Sequence, residues 1–281
     1  MKIAITAVSG QLGSAIAKRA IEEFGKENLI GTARSPEKVK SLGLKVFKAD
    51  YNSKEGFISA FQDVEVVLLV SGMDAPEKRI DQHRNVICAA KESGVRKIIY
   101  TSIIGKPGNS KFDPIVNSNR QTEEDIKASG LDYAIGRNGL YIEPDIEYLN
   151  NYIKAGKISN CAADGKCSYT TRDEIAIAYT ELIKNNSLNS QIYNLTGEAI
   201  TQTELVGYFN KYFKTSLAYK SLSIKDYLKW QKEHNGEFLG SVIAGIYTKI
   251  YNNEFNIQSD FEKVTGRKHK STSEIFNEYS K

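Results

Sequence analysis

The stretch Lys2-Ile3-Ala4-Ile5-Thr6-Ala7-Val8-Ser9-Gly10-Gln11-Leu12-Gly13 decides the fold. Lys2–Thr6 is short, apolar and rich in isoleucine, the pattern of a buried parallel strand. From Gln11 to Phe24, Leu12, Ile16, Ala20 and Phe24 recur on one helical face. In the turn between, Gly10 lets the backbone come close to a pyrophosphate, and Gly13 lets the helix pack on the sheet. The helix N-terminus then offers unpaired N–H groups and a partial positive charge to phosphates. Ala7 stands where the dinucleotide fingerprint has its first glycine, so the motif is incomplete. A packed strand-to-helix turn without a ligand is the competing reading.

The pattern repeats along the first half. Leu29–Ala33, Lys45–Lys48, Val64–Val70, Lys97–Thr101 and Asp132–Gly136 read as further strands. Ser35-Pro36 offers a cap and a first-turn proline for a short helix, and a long one runs over Pro76–Ser93, ended by Gly94. Strands alternating with helices predict βαβ units. The expected fold is α/β: a Rossmann-type doubly wound parallel sheet with a smaller, mostly helical C-terminal lobe. Residues 1–140 form the expected NAD(P)-binding domain. Residues 141–281 form the substrate-binding lobe, with some segments returning to the core.

The second half has another texture. Thr171-x-x-Glu174, Thr201-x-x-Glu204 and Ser271-x-x-Glu274 read as capping boxes, each opening a helix. Ile192–Leu195 and Leu217–Lys220 are strand-like, and Phe238–Tyr251 is helical with Leu239, Val242, Ile243, Ile246 and Ile250. The lobe is expected over the carboxyl edge of the sheet, where open α/β folds bind ligands.

Composition narrows the function classes. Of 281 residues 41% are hydrophobic and 26% charged, which suits a globular protein. The 38 basic and 34 acidic residues are dispersed, so the net charge of +4 leaves no footprint for nucleic acid. Cys88, Cys161 and Cys167 fit neither a disulfide framework nor a zinc site. No apolar run reaches the ~18 residues of a membrane span, and none suits a signal peptide. A cytoplasmic protein with no membrane partner is expected.

After Leu29–Ala33 the chain reads Arg34-Ser35, with no carboxylate for a ribose 2′-hydroxyl. Arg34 offers a guanidinium fork suited to a 2′-phosphate, so NADP(H) is expected in preference to NAD(H). A solvated arginine at a strand end is the alternative.

These motifs, with Ala49-Asp50-Tyr51, Gln82-His83-Arg84-Asn85-Val86-Ile87, Tyr100-Thr101-Ser102, Arg137-Asn138-Gly139-Leu140-Tyr141, Thr171-Arg172 and Tyr193-Asn194-Leu195, resemble the NmrA-like, atypical branch of the short-chain dehydrogenase/reductases. Within it the likeness is to the NAD(P)H:quinone oxidoreductase type 2 and triphenylmethane reductase groups. The resemblance implies that Thr6, Ser9, Gly10, Gln11, Leu12 and Gly13 belong to the diphosphate turn. Arg34 would meet the 2′-phosphate, Asp50 and Tyr51 would border the adenine, and Ser71 and Gly72 would lie beside ribose. Thr101, Ser102, Asn138, Gly139 and Tyr141 would surround the nicotinamide.

The chain departs from the wider superfamily at its Tyr-x-x-x-Lys pair. Ile115 stands in the tyrosine's place and Asn119 in the lysine's, where the quinone reductase group usually keeps a histidine. Reducing a ketone needs a positioned acid. A quinone yields a stabilised anion, and a triphenylmethane cation takes hydride with no proton. Candidate catalytic residues are Ser102, Asn119 and Tyr141, with Asn119 expected to hydrogen-bond the nicotinamide ribose. His83 shares an apolar stripe with Ile80 and Ile87 and reads as structural. Tyr141, Tyr148, Tyr152, Tyr169, Trp230, Phe238 and Tyr247 would suit a flat ligand or plain core.

The resulting expectation is an NADPH-dependent oxidoreductase passing hydride to a quinone or a similar small, flat, electron-poor aromatic acceptor. The alternative is an NmrA-like NADP(H)-sensing regulator without turnover, which would bind a protein partner. A homodimer is compatible with either.

Overall fold

The computed structural model describes residues 1–281. The first half alternates as the apolar runs require: β1 (Ile3–Ile5), α1 (Gln11–Phe24), β2 (Leu29–Ala33), β3 (Lys45–Lys48), α2 (Glu55–Ala60), β4 (Val66–Val70), α3 (Pro76–Glu92), β5 (Lys97–Ile103), α4 (Asp113–Lys127) and β6 (Asp132–Asn138). The order across the sheet is β3-β2-β1-β4-β5-β6, and every pairing is parallel. A seventh strand, β10 (Gln191–Leu195), pairs with β6 and closes that edge. The strand order reverses between β1 and β4, the switch point where a ligand crosses such a sheet.

Helices cover both faces. Side chains of α1 and of α7 (Arg172–Lys184) form one core layer with Ile3, Ile5, Leu68 and Ile99. Those of α2, α3 and α4 form the other with Ala4, Val67, Ile98, Tyr100 and Ile135. Adjacent strand residues thus divide between the layers, as a period of two demands.

The remaining segments build the lobe: β7 (Leu140–Tyr141), α5 (Glu143–Glu147), α6 (Leu149–Ala155), β8 (Lys157–Asn160), β9 (Lys166–Thr170), β11 (Ala199–Thr201), α8 (Gln202–Phe213), β12 (Ala218–Ser221), α9 (Ile224–Asn235), α10 (Glu237–Tyr251) and α12 (Thr272–Tyr279), while α11 (Phe261–Thr265) returns to the main core, where Phe261 and Val264 join the α1/α7 layer. A small sheet β7-β9-β11 and the pair β8–β12 share with these helices a cluster around Tyr169, Phe209, Phe255 and Phe276. α10 is held to the start of α4 by Lys249, fully buried, with Asp113 at 2.7 Å and Glu254 at 2.6 Å. No helix is long and apolar enough to cross a membrane.

Three local expectations are corrected. After Ser35-Pro36 the chain makes a 3-10 stretch, Pro36–Leu42, because Val39 is drawn into the core with a non-helical φ of −123°. Ile192–Leu195 belongs to the main sheet, where β6 would otherwise expose its edge. Thr171 caps α7, yet Glu174 does not complete the box: its carboxylate is taken by Arg267, at 2.8 and 2.7 Å. Thr201 and Ser271 do form complete boxes.

Candidate functional site

The turn after β1 is built around Ala7, which adopts a left-handed φ of +51° and accepts a hydrogen bond from Gly10 N at 2.9 Å. This is the conformation a glycine takes at little cost. A Cβ on Gly13 would sit 2.3 Å from Ala7 O, so α1 packs against the turn only because Gly13 has none. Gly10 is different, since a Cβ there would meet only Ala7 O, at 3.4 Å.

The N-terminus of α1 has neither a side-chain cap nor an acidic residue in its first turn. By contrast, Thr171, Thr201, Ser223 and Ser271 cap α7, α8, α9 and α12. Its free N–H groups lie at the switch point beside exposed Ser9, Gly10 and Gln11. That donor set fits a diphosphate. Leu12 turns inward against the core, so only its backbone faces outward.

One strand over, Arg34, Lys48, Ala49, Asp50, Ser53 and Gly56 line a cleft of about 270 Å³. Its two cations suit a phosphomonoester. Asp50 accepts from Asn52 N and Nδ2 at 2.9 and 2.7 Å and so shapes the loop. A larger hollow, about 530 Å³, follows the outer seam of α1 and α7.

Thr6 and Tyr51 face inward. Thr6 is fully buried; its hydroxyl lies 2.6 Å from the Tyr51 hydroxyl and accepts from Val70 N at 2.9 Å. Tyr51 donates to Val70 O at 2.6 Å. Both brace the ends of β1 and β4 rather than presenting polar atoms to the cleft.

At the end of β4, Ser71 is half-buried and its N–H donates to Thr101 Oγ1 at 2.9 Å. Gly72 N–H donates to His83 Nε2 at 2.9 Å, so the His83 proton sits on Nδ1, 2.9 Å from Thr122 Oγ1. Burial, with Arg79 nearby, pushes the His83 pKa down to about 3. A neutral imidazole with both nitrogens engaged is a structural lock, as expected.

The expected catalytic residues fare unequally. Ser102 is buried; its hydroxyl donates to Glu123 Oε1 at 2.6 Å and accepts from Arg120 at 3.1 Å, so its proton is already committed. Asn119 is fully buried, accepting from Tyr100 OH and donating to Ile115 O, both at 2.8 Å. It therefore stands behind Ser71, whose hydroxyl lies 3.4 Å from Asn119 Oδ1. Tyr141 keeps an accessible surface: Asn138 Nδ2 donates to its hydroxyl at 3.0 Å, and the Arg172 guanidinium lies 5.5 Å from its ring. Asn138 in turn accepts from Tyr179 OH at 2.8 Å. Gly139 serves packing, because a Cβ would lie 2.6 Å from Ser168 O.

A group not anticipated from sequence lies beneath these residues. Glu123 is fully buried and accepts from Arg137 Nε at 2.9 Å and Arg120 NH1 at 2.6 Å, besides Ser102. Burial alone would raise its carboxyl; the two guanidiniums and the hydroxyl outweigh that and hold it below the usual range. The signal was present, since Ile115, Asn119 and Glu123 recur every four residues on one face of α4. The carboxylate's partners, however, come from β5 and β6.

Comparison with known proteins gives a consistent set. A family profile described as NAD(P)H-binding matches residues 8–186. Quinone oxidoreductase 2 of Escherichia coli strain K12 is 32% identical over 231 residues, spanning 80% of this chain and 79% of that protein. An NmrA-like family domain-containing oxidoreductase of Aspergillus flavus is 31% identical over 219 residues, spanning 75% and 71%. Among solved structures, Citrobacter sp. triphenylmethane reductase complexed with NADP(H) superposes with a TM-score of 0.90, at 26% identity, over 99% of this chain and 100% of that one.

Proposed function

The chain belongs to the NAD(P)H-binding, NmrA-like family of oxidoreductases, and on that premise we propose that it is an NADPH-dependent reductase of quinones or similar flat, electron-poor acceptors. The carrying observation is the uncapped N-terminus of α1 at the β1/β4 switch, with Arg34 and Lys48 one strand away. These groups offer donors suited to a diphosphate and to a 2′-phosphate on neighbouring strand ends.

When bound, the dinucleotide supplies the hydride. The chain's own residues bind, orient and exclude water. Backbone amides at Gly10–Gly13 hold the diphosphate, Ser71 and Thr101 border the nicotinamide half, and Tyr141 closes the side toward the lobe. With Ile115 and Asn119 in place of a Tyr/Lys pair, α4 presents no acid for a ketone oxygen. A quinone, which delocalises the charge it receives, tolerates that arrangement. The E. coli relative named a quinone oxidoreductase supports this choice of acceptor.

The test is calorimetric and kinetic. NADPH should bind more tightly than NADH, and quinones should drive its oxidation. Arg34→Ala should weaken NADPH binding by roughly 10–100-fold, the worth of a charge-assisted contact of about 1.5–3 kcal/mol, and leave NADH nearly unchanged. Equal losses for both cofactors would remove Arg34 from the phosphate site. Tight binding with no oxidation by any acceptor would overturn the enzymatic reading.

A further inference from the structure

Of the large apolar side chains on the surface, Met73 is the most exposed, at 92%. One exposed methionine is ordinary in itself. Its place is not ordinary. β1 and β4 are neighbours in the sheet, yet α1 packs on one face and α3 on the other. The turn leaving β1 and the Ser71–Ala75 loop leaving β4 therefore diverge and form the two walls of the crevice at the switch point. Met73 is the middle residue of that loop.

The loop is fastened on either side of Met73 and not at it. Ser71 N–H donates to Thr101 Oγ1 and Gly72 N–H to His83 Nε2, each at 2.9 Å. A Cβ on Gly72 would lie 3.4 Å from Tyr51 Cδ2, so the loop runs along the Tyr51 ring. Beyond Met73, Arg79 NH2 donates to Asp74 O at 2.9 Å, and Asp74 Oδ2 accepts from Gln82 Nε2. Gln82 Nε2 also donates to Asn52 Oδ1 at 3.0 Å. Asn52 is bonded in turn to Asp50, which lines the cleft with Arg34 and Lys48. The Gln82 amide, with Lys78 and Arg34 nearby, holds the Asp74 carboxyl below its usual range. Met73 makes no hydrogen bond. Its neighbours are fixed against the wall of that cleft, while its own side chain, unbranched and with three rotatable bonds, is free to turn.

We propose that Met73 is the lid of the adenine site, its thioether closing on the base of the bound dinucleotide. The proposal rests on the cofactor placement above. With the diphosphate at the start of α1 and the 2′-phosphate at Arg34 and Lys48, the adenosine lies along the Asp50–Asn52 strand end. The loop that carries Met73 is bonded to that same strand end. Sulfur packs favourably against an aromatic ring, and adenine offers one. Because both nicotinamide cofactors carry the same base, Met73 serves them equally, whereas Arg34 tells them apart.

Oxidation of the full-length protein by hydrogen peroxide tests this. The thioether gains one oxygen and becomes a sulfoxide as the peroxide is reduced to water. Met1, the chain's other methionine and 43% exposed, is the internal reference. Mass spectrometry should show that saturating NADP⁺ slows oxidation of Met73 by at least about tenfold and leaves Met1 unchanged. Adenosine 2′,5′-bisphosphate, the adenosine half alone, should protect Met73 as well, and nicotinamide mononucleotide should not. Met73→Ala should weaken NADPH and NADH alike, by roughly 2–10-fold, the worth of a sulfur–aromatic contact. Prior oxidation should cost wild type a similar factor and Met73→Leu nothing. An undiminished rate of Met73 oxidation under NADP⁺ that calorimetry shows to be bound would overturn the proposal. So would protection by nicotinamide mononucleotide alone, or a Met73→Ala loss confined to NADPH. If calorimetry detects no binding of NADP⁺ or NADPH, the cofactor placement itself is refuted instead.

Discussion

Replacing Glu123 with alanine is expected to lower the unfolding free energy by about 3–5 kcal/mol, the range for a buried ion pair deprived of one partner. The Glu123 carboxylate is 1% exposed and lies between two guanidiniums, Arg137 and Arg120, whose side chains are themselves 28% and 17% exposed. Without it, both cations and the Ser102 hydroxyl lose their shared acceptor. Urea unfolding checks the size of the effect. A loss below about 1 kcal/mol would show that water reaches the arginines and that the network is a surface feature. The acid limb gives a second check. Because the folded-state pKa of Glu123 is depressed, its contribution is present above the ordinary carboxylate range and is lost as pH falls through the folded value. The variant should therefore show a flatter acid limb than wild type.

Gly10→Asp is expected to cost at least about 100-fold in NADPH affinity without unfolding the chain, more than 2.7 kcal/mol of binding energy. Gly10 has φ −83° and room for a Cβ, so the backbone accepts the change. Aspartate is also a favourable N-cap, so the unliganded protein should melt no lower than wild type and gain up to about 1 kcal/mol. The same carboxylate would occupy the free N–H groups and repel the diphosphate. Gly13→Ala should behave oppositely, failing first in stability, because its new Cβ would collide with the Ala7 carbonyl. Calorimetry paired with thermal melts separates the two. Undiminished NADPH binding by Gly10→Asp would place the diphosphate somewhere other than the start of α1.

The contrast between these glycines shows how far the sequence could be read. Both belong to one motif, and their roles as approach and packing positions follow from the spacing alone. Ala7 does not reveal itself in the same way. Its left-handed φ is imposed by Gly10 N–H bonding back to its carbonyl and by the helix packed on it. Similarly, the sequence singled out Arg34 as a strand-end guanidinium, yet Lys48 joins it in one cleft only because β3 pairs with β2. Ser102 and Asn119 show what spacing alone leaves open. Their positions suit catalysis, and their side chains satisfy Glu123 and Tyr100 instead.

What the sequence determined by itself is local and periodic: the strand–turn–helix at the start, the alternation of βα units, the capped helices at Thr201 and Ser271, and the absence of a Tyr/Lys pair. Each of these depends on residues a few positions apart, where backbone geometry sets the spacing. Tertiary structure alone decided which polar side chains remain free. Burial obliges a hydroxyl, amide or carboxylate to find a partner, and those partners stand on other strands and helices. Glu123 found two arginines, Asn119 found a tyrosine, and Ser102 found Glu123.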